Sequence, residues 1–218
     1  MRTLILESKL WWLVKADEVR PKKGLVVVDA VKRVAEAFKF AAVPVTLPGP
    51  NDGYVFREGG ITTDTGPVAI QEFTIFNDGI SLQVYSSTDD LFLTLDRVLE
   101  LMGSIGLSEP ITPPKLLIQS MITFETEANL NNLATAFDPL TKAIAEITGA
   151  AAPHELKTIE YTVDPKAVPQ LESKVFRIER RANEPFELNR WFSFANATTR
   201  DHTRVLELIE RTAKEVAN

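Results

Sequence analysis

Two hydrophobic periods alternate along this chain, and they do so twice in the same order. Apolar side chains at every second residue suit a strand with one buried face. Steps of three and four suit a helix with one buried stripe. The sequence reads strand, helix, three strands, helix over residues 1–107, and the same again over 115–218. Between them stands Ser108-Glu109-Pro110-Ile111-Thr112-Pro113-Pro114. This segment, 108–114, can neither continue a helix nor enter a central strand, because proline has no amide hydrogen to donate. It is the expected linker between two halves that share one core or form two.

The fold class expected is therefore α+β, with an antiparallel sheet or sheets, helices on one face, and two topologically similar β-α-β-β-β-α halves. Antiparallel sheets need helices on one side to cover their apolar face. Residue-level identity between the halves is low, so an internal duplication is expected of the topology alone. An alternative architecture wraps a curved sheet around the long terminal helix and leaves a cavity.

Local signals place most elements. Thr3–Val14 reads as a strand and Leu25–Phe40 as a helix with Val27, Val31, Val34, Ala35 and Phe38 inward. Pro44, Pro48, Gly49 and Pro50 mark a loop. Tyr54–Arg57 is a short strand, and Gly59-Gly60 is expected to be a flexible turn. Asn77-Asp78-Gly79 between Val68–Phe76 and Ile80–Tyr85 is a hairpin signal, with positive φ expected at the central positions. Ser87 and Asp90 have the spacing of a helix cap, followed by the stripe Leu91, Leu95, Val98, Leu99 and Met102.

In the second half, Leu116–Thr126 alternates as a strand. Leu130, Leu133, Phe137, Leu140, Ile144 and Ile147 form a helical stripe interrupted by Asp138-Pro139, with Asp138 expected as cap and Gly149 as terminator. Strands follow at Thr158–Val163, Lys174–Arg180 and Leu188–Phe194. The last helix begins near Thr199, with Val205, Leu208, Ile209, Thr212 and Val216 inward.

Composition narrows the chemistry. The 218 residues carry 24 basic and 30 acidic side chains, a formal charge of −6 spread over both halves. That balance argues against nucleic acid as a partner, since such binding neutralises phosphates. There is no cysteine, so disulfides, thiolate metal sites and cysteine nucleophiles are excluded. No segment approaches the roughly 20 apolar residues that span a bilayer, and Glu7, Ser8 and Lys9 break the first apolar run. The expectation is a cytoplasmic, soluble chain with no membrane partner.

Motif chemistry is sparse. No glycine-rich phosphate loop, His-Glu-x-x-His or Gly-x-Ser-x-Gly elbow occurs. His154 and His202 fall in different segments and are expected to be exposed structural histidines, and Asp89-Asp90 is explained by helix capping. No cofactor and no metal are expected.

Two clusters remain. Lys174, Arg177, Arg180, Arg181 and Arg190 crowd two strands with Phe176, Trp191, Phe192 and Phe194 interleaved. Arg190 shares strand parity with Phe192 and Phe194, expected inward, and an inward arginine needs a partner or a ligand. Arg177, Arg190 and Trp191 are the candidate residues for an anionic ligand. The plain alternative pairs Arg177 and Arg181 with Glu160, Glu179 or Glu187 across a solvated sheet face and puts Arg190 at a sheet edge. Trp11-Trp12 is the candidate interface: neighbouring strand residues face opposite ways, so one tryptophan is expected in the core and the other at a surface.

The function expected is that of a non-catalytic interaction or regulatory protein, self-associating as a homo-oligomer or binding a protein partner. The alternative is a binding protein or enzyme for a small anionic molecule, with a pocket between sheet and helix.

Overall fold

Strand β1 (Arg2–Leu13) shows the principle on which the fold is built: Ser8, Leu10 and Trp12 are buried, and the residues between them are only half-buried. A computed structural model describes residues 1–15, 27–45, 52–106, 110, 112–151, 154–164 and 175–216. After β1 come α1 (Val27–Ala37), β2 (Tyr54–Thr63), β3 (Gly66–Phe76), β4 (Gly79–Val84) and α2 (Thr88–Ser104). The second half contains β5 (Lys115–Glu125), a 3-10 helix (Leu130–Phe137), α3 (Asp138–Thr148), β6 (Thr158–Tyr161), β7 (Phe176–Arg180), β8 (Arg190–Ala195) and α4 (Thr199–Val216). Residues 25–26, 48–50, 108–109, 111 and 174, to which the sequence assigns a helix start, loop, linker and strand start, lie outside the described residues.

Among the described residues the architecture is α+β, a single antiparallel sheet of eight strands with four α-helices. The strand order is β2-β3-β4-β1-β5-β8-β7-β6. Read outward from the centre, each half runs first, fourth, third, second strand. The two first strands also match in kind. Ser8, Leu10 and Trp12 in β1 correspond to Ser120, Ile122 and Phe124 in β5, and all six are buried. This serine–aliphatic–aromatic alternation is shared by the first strand of each half.

Contacts divide the chain into two compact units. One is Leu6–Ser120 with Ala197–Thr199; the other is Met1–Ile5, Met121–Asn196 and Arg200–Asn218. Strands β1 and β5 pass through both.

In the first unit, α1 and α2 bury Val34, Phe38, Leu91, Leu95, Val98 and Met102 against Leu10, Trp12, Phe56, Phe73, Ile80, Leu82 and Val84 of the sheet. The rings of Phe38, Phe40, Phe56 and Phe73 lie 5.3–6.5 Å apart between centroids, tilted or offset as ring quadrupoles favour. Helix α2 opens as its sequence predicts, with the Ser87 hydroxyl accepting from the Asp90 amide at 3.2 Å. The Thr88 amide donates to the Thr199 hydroxyl, and the Thr199 amide donates to the Thr88 hydroxyl, each at 2.9 Å. Two helix starts thus cap one another.

Gly59-Gly60 is not a turn. Both residues lie inside β2, whose 10 residues continue well past the Tyr54–Arg57 that its sequence suggests. The segment Phe38–Ala42 runs along the outer edge of β2: the Gly60 amide donates to the Phe38 carbonyl at 2.8 Å, and Arg57 exchanges hydrogen bonds with Ala42. A Cβ on Gly59 would meet Phe40 Cδ1 at 2.4 Å and the Phe38 carbonyl oxygen at 2.9 Å. The glycine therefore serves close approach, and the approaching segment shields a sheet edge. The β3–β4 hairpin forms where expected, but neither Asn77 nor Asp78 has positive φ. Gly79 has (φ 149°), and a Cβ there would lie 2.1 Å from the Trp12 carbonyl oxygen.

In the second unit the inward phases differ from expectation in three places. Strand β8 buries Trp191, Ser193 and Ala195, not Arg190, Phe192 and Phe194. Trp191 is the larger ring, and its indole N–H donates to Asn189 at 2.8 Å, so the inside satisfies it completely. Helix α4 buries His202, Leu206 and Ala213, while Val205, Leu208 and Val216 are exposed. The contact of His202 with Ser193 turns the helix by this amount. The stripe at 130–147 is not one helix: the chain is already helical when it reaches Asp138 (φ −54°, ψ −41°), so Asp138 cannot adopt the extended conformation of a cap. Phe137 occupies that position without a side-chain hydrogen bond, Pro139 sits in the first turn, and Gly149 ends the helix at φ 67°.

No helix among the described residues is long and apolar enough to cross a membrane.

Candidate functional site

The arginine-rich strands resolve into paired charges. In the β7–β8 register Arg177 faces Phe194, Glu179 faces Phe192 and Arg180 faces Trp191. Arg177 pairs with Glu179 on its own strand and approaches Glu160 of β6 at 3.7 Å. Arg190 donates through Nε to Glu125 at 2.5 Å and through Nη1 to Glu184 at 3.0 Å. Glu125 also receives Arg2, and Glu184 lies 4.0 Å from Arg181. The hydrogen bonds from Arg190, then from Arg2, hold the Glu125 carboxyl below its usual range. The bonds to Glu125 and Glu184 raise Arg190 in turn. Trp191 is fully buried, and so does not stand beside Arg177 and Arg190 on the other face of the sheet.

Arg180 is the arginine that faces inward. Its parity with Ile178 was the available signal, since Ile178 is fully buried. The guanidinium lies between the rings of Phe186 and Trp191, 4.2 and 4.6 Å from their centroids. It donates to the Leu156 carbonyl at 3.0 Å and to Glu155 at 2.8 Å. Burial lowers its pKa, partly opposed by the Glu155 charge. This arrangement fastens the segment after α3 to the sheet.

His202 is buried, contrary to the expectation of an exposed histidine, because the first turn of α4 lies over β8. Its Nε2 is 2.7 Å from the Ser193 hydroxyl, and the Phe176 ring meets it edge-on at 5.6 Å. The Ser193 hydroxyl also lies 2.9 Å from the Arg177 carbonyl, and the direction of its bond with His202 follows the imidazole tautomer. His154 is exposed. No group of three or more metal-ligating side chains occurs among the described residues.

Trp12 is 7% exposed and sits in the core. Trp11 is half-buried on the opposite face, with the Lys9 ammonium 5.0 Å from its ring centre. Asp90 at the α2 start accepts from Ser86, from Thr65 at 2.7 Å and from Ser87 at 3.3 Å.

The exposed apolar surface that sequence reasoning missed belongs to α3. Its stripe was expected in the core, yet Ala145 is its one buried residue. Phe137, Leu140 and Ile147 are 59%, 55% and 85% exposed. Asn132 of the preceding 3-10 helix donates to the Ala213 carbonyl of α4 at 3.0 Å, which ties this segment to a helix that also exposes Val205 and Leu208.

No family model matches the chain, and no curated protein does. Among solved structures it is similar to Methanococcus jannaschii TBP, at 14% identity over 99% of this chain and 97% of that one, with a TM-score of 0.39. At that score the likeness supports no statement about this chain's function. The expectation that nucleic acid is not a partner is withdrawn: a charge of −6 is a sum over the whole chain and excludes no local surface.

Proposed function

We propose that this chain is a non-catalytic interaction protein that self-associates through the apolar surface of α3. The observation that carries the reading is the exposure of Leu140 and Ile147 on a helix with a single buried residue. An 11-residue helix is below the roughly 12–15 residues at which isolated helices become marginally stable, so it depends on packing of its apolar face. A partner surface supplies that packing. The pairing of Arg177 and Arg190 with carboxylates favours an interaction role over a reactive one.

Light scattering after size exclusion tests this. The wild-type chain is expected to elute as a dimer or larger, and Leu140→Asp with Ile147→Asp as a monomer with unchanged circular dichroism. A wild-type monomer at every concentration contradicts it.

A further inference from the structure

An open groove of about 790 Å³ lies in the first compact unit, within the 300–1,000 Å³ span of small-molecule sites. One wall is the end of α1 with Phe38 and Lys39; the others come from Gly59–Thr62 of β2, Pro67–Ala69 of β3, and Arg97 and Leu101 of α2. Its apolar surface comes from the half-buried Ile61 and Leu101, while Phe38 and Val68, 3% and 4% exposed, back it from the core. The two charged residues that line it, Lys39 and Arg97, are both cations.

Each cation is available in its own way. Lys39 stands at φ 52° just beyond α1, a left-handed position where glycine or asparagine is the cheaper choice, and its side chain is exposed. Arg97 pairs with Glu100 at 3.0 Å, but both side chains are about two-thirds exposed, at 67% and 65%. Such a surface pair contributes little and exchanges readily for a better anion. Gly59 and Gly60 add no side chain that could fill the space.

From these features we infer that the groove binds a small amphipathic carboxylate. The apolar body lies along the Ile61–Val68 wall, and the carboxylate is held between the Lys39 ammonium and the Arg97 guanidinium. The planar fork of arginine matches two carboxylate oxygens, and the lysine adds a point charge. This site is separate from α3 and does not depend on self-association.

Isothermal titration of the full chain with octanoate tests the inference, with octanol and inorganic phosphate as controls. Saturable one-to-one binding of octanoate is expected, with a Kd of about 1 mM or tighter. Lys39→Gln combined with Arg97→Gln is expected to weaken it about tenfold, with the thermal melting curve unchanged. Octanol and phosphate, each lacking one half of the recognition, bind more weakly than octanoate. Ala69→Leu, which narrows the groove without touching a charge, abolishes binding. Absence of saturable binding overturns the inference, as does equal binding of octanol or octanoate affinity that survives both the charge variant and Ala69→Leu.

Discussion

The Arg180 guanidinium lies 4.6 Å from the centre of the Trp191 ring, and both residues are buried. Phe186 covers the other guanidinium face, and Glu155 with the Leu156 carbonyl takes up its hydrogens. Arg180→Met keeps the volume but leaves Glu155 with Asn131 alone and the Leu156 carbonyl without its guanidinium donor; Arg180→Lys keeps the charge but loses the planar stack. Urea denaturation is expected to show losses of about 3 kcal/mol and about 1–2 kcal/mol, respectively. No loss in either variant would show that the stack is ornamental to stability.

The mutual caps of Thr88 and Thr199 make a coupled pair. Thr88→Val and Thr199→Val each remove one acceptor while preserving shape, at about 1 kcal/mol apiece. Because both hydroxyls belong to one reciprocal arrangement, a double-mutant cycle is expected to give a coupling of at least about 0.5 kcal/mol. Strict additivity would mean the two starts are independent.

Gly79 has no room for a side chain, with the Trp12 carbonyl 2.1 Å from a Cβ and φ at 149°. Gly79→Ala is expected to lose more than about 2 kcal/mol in thermal or chemical unfolding. Gly103→Ala is the control, since nothing lies within 4 Å of its Cβ and it sits in α2, where alanine gains helix propensity.

Asp90 contributes a pH dependence of known sign. The Ser86 hydroxyl chiefly lowers its pKa; burial opposes this, and Thr65 and Ser87 lower it further. A carboxyl lowered on folding adds stability that is present above the unfolded value, near 3.9, and is lost as pH falls through the folded value. Stability curves from pH 7 downward should therefore decline less in Asp90→Asn than in wild type below about pH 4. Ser86→Ala should move the Asp90 titration, followed by NMR, upward toward the ordinary range. An unmoved titration would remove Ser86 as the cause.

The order of elements was legible because period-two and period-3.6 patterns are local. Leu91, Leu95, Val98 and Met102 fell on the buried face of α2 as their spacing requires. What the spacing could not supply was phase, wherever a polar contact competed with hydrophobic count. In the strand expected over Leu188–Phe194, three apolar residues, Leu188, Phe192 and Phe194, pointed one way, yet β8 begins only at Arg190 and Leu188 ends a 3-10 turn. Trp191 alone, with Asn189 and Arg180 as partners, decided the other. In α4, His202 outweighed Val205 and Leu208 through its bond with Ser193. The Gly59-Gly60 pair misled for a related reason: the Phe40 ring that requires it comes from a segment nineteen positions earlier, which no local pattern reveals. The exposure of the α3 stripe was equally invisible, since an apolar stripe states that it seeks cover but not whether its own chain provides it.

Amide hydrogen exchange over residues 138–148 as a function of protein concentration tests self-association through α3 most directly. Protection of this helix should rise with concentration in the wild-type chain and stay low throughout in the Leu140→Asp, Ile147→Asp variant. Equal exchange in both proteins at every concentration would contradict the account.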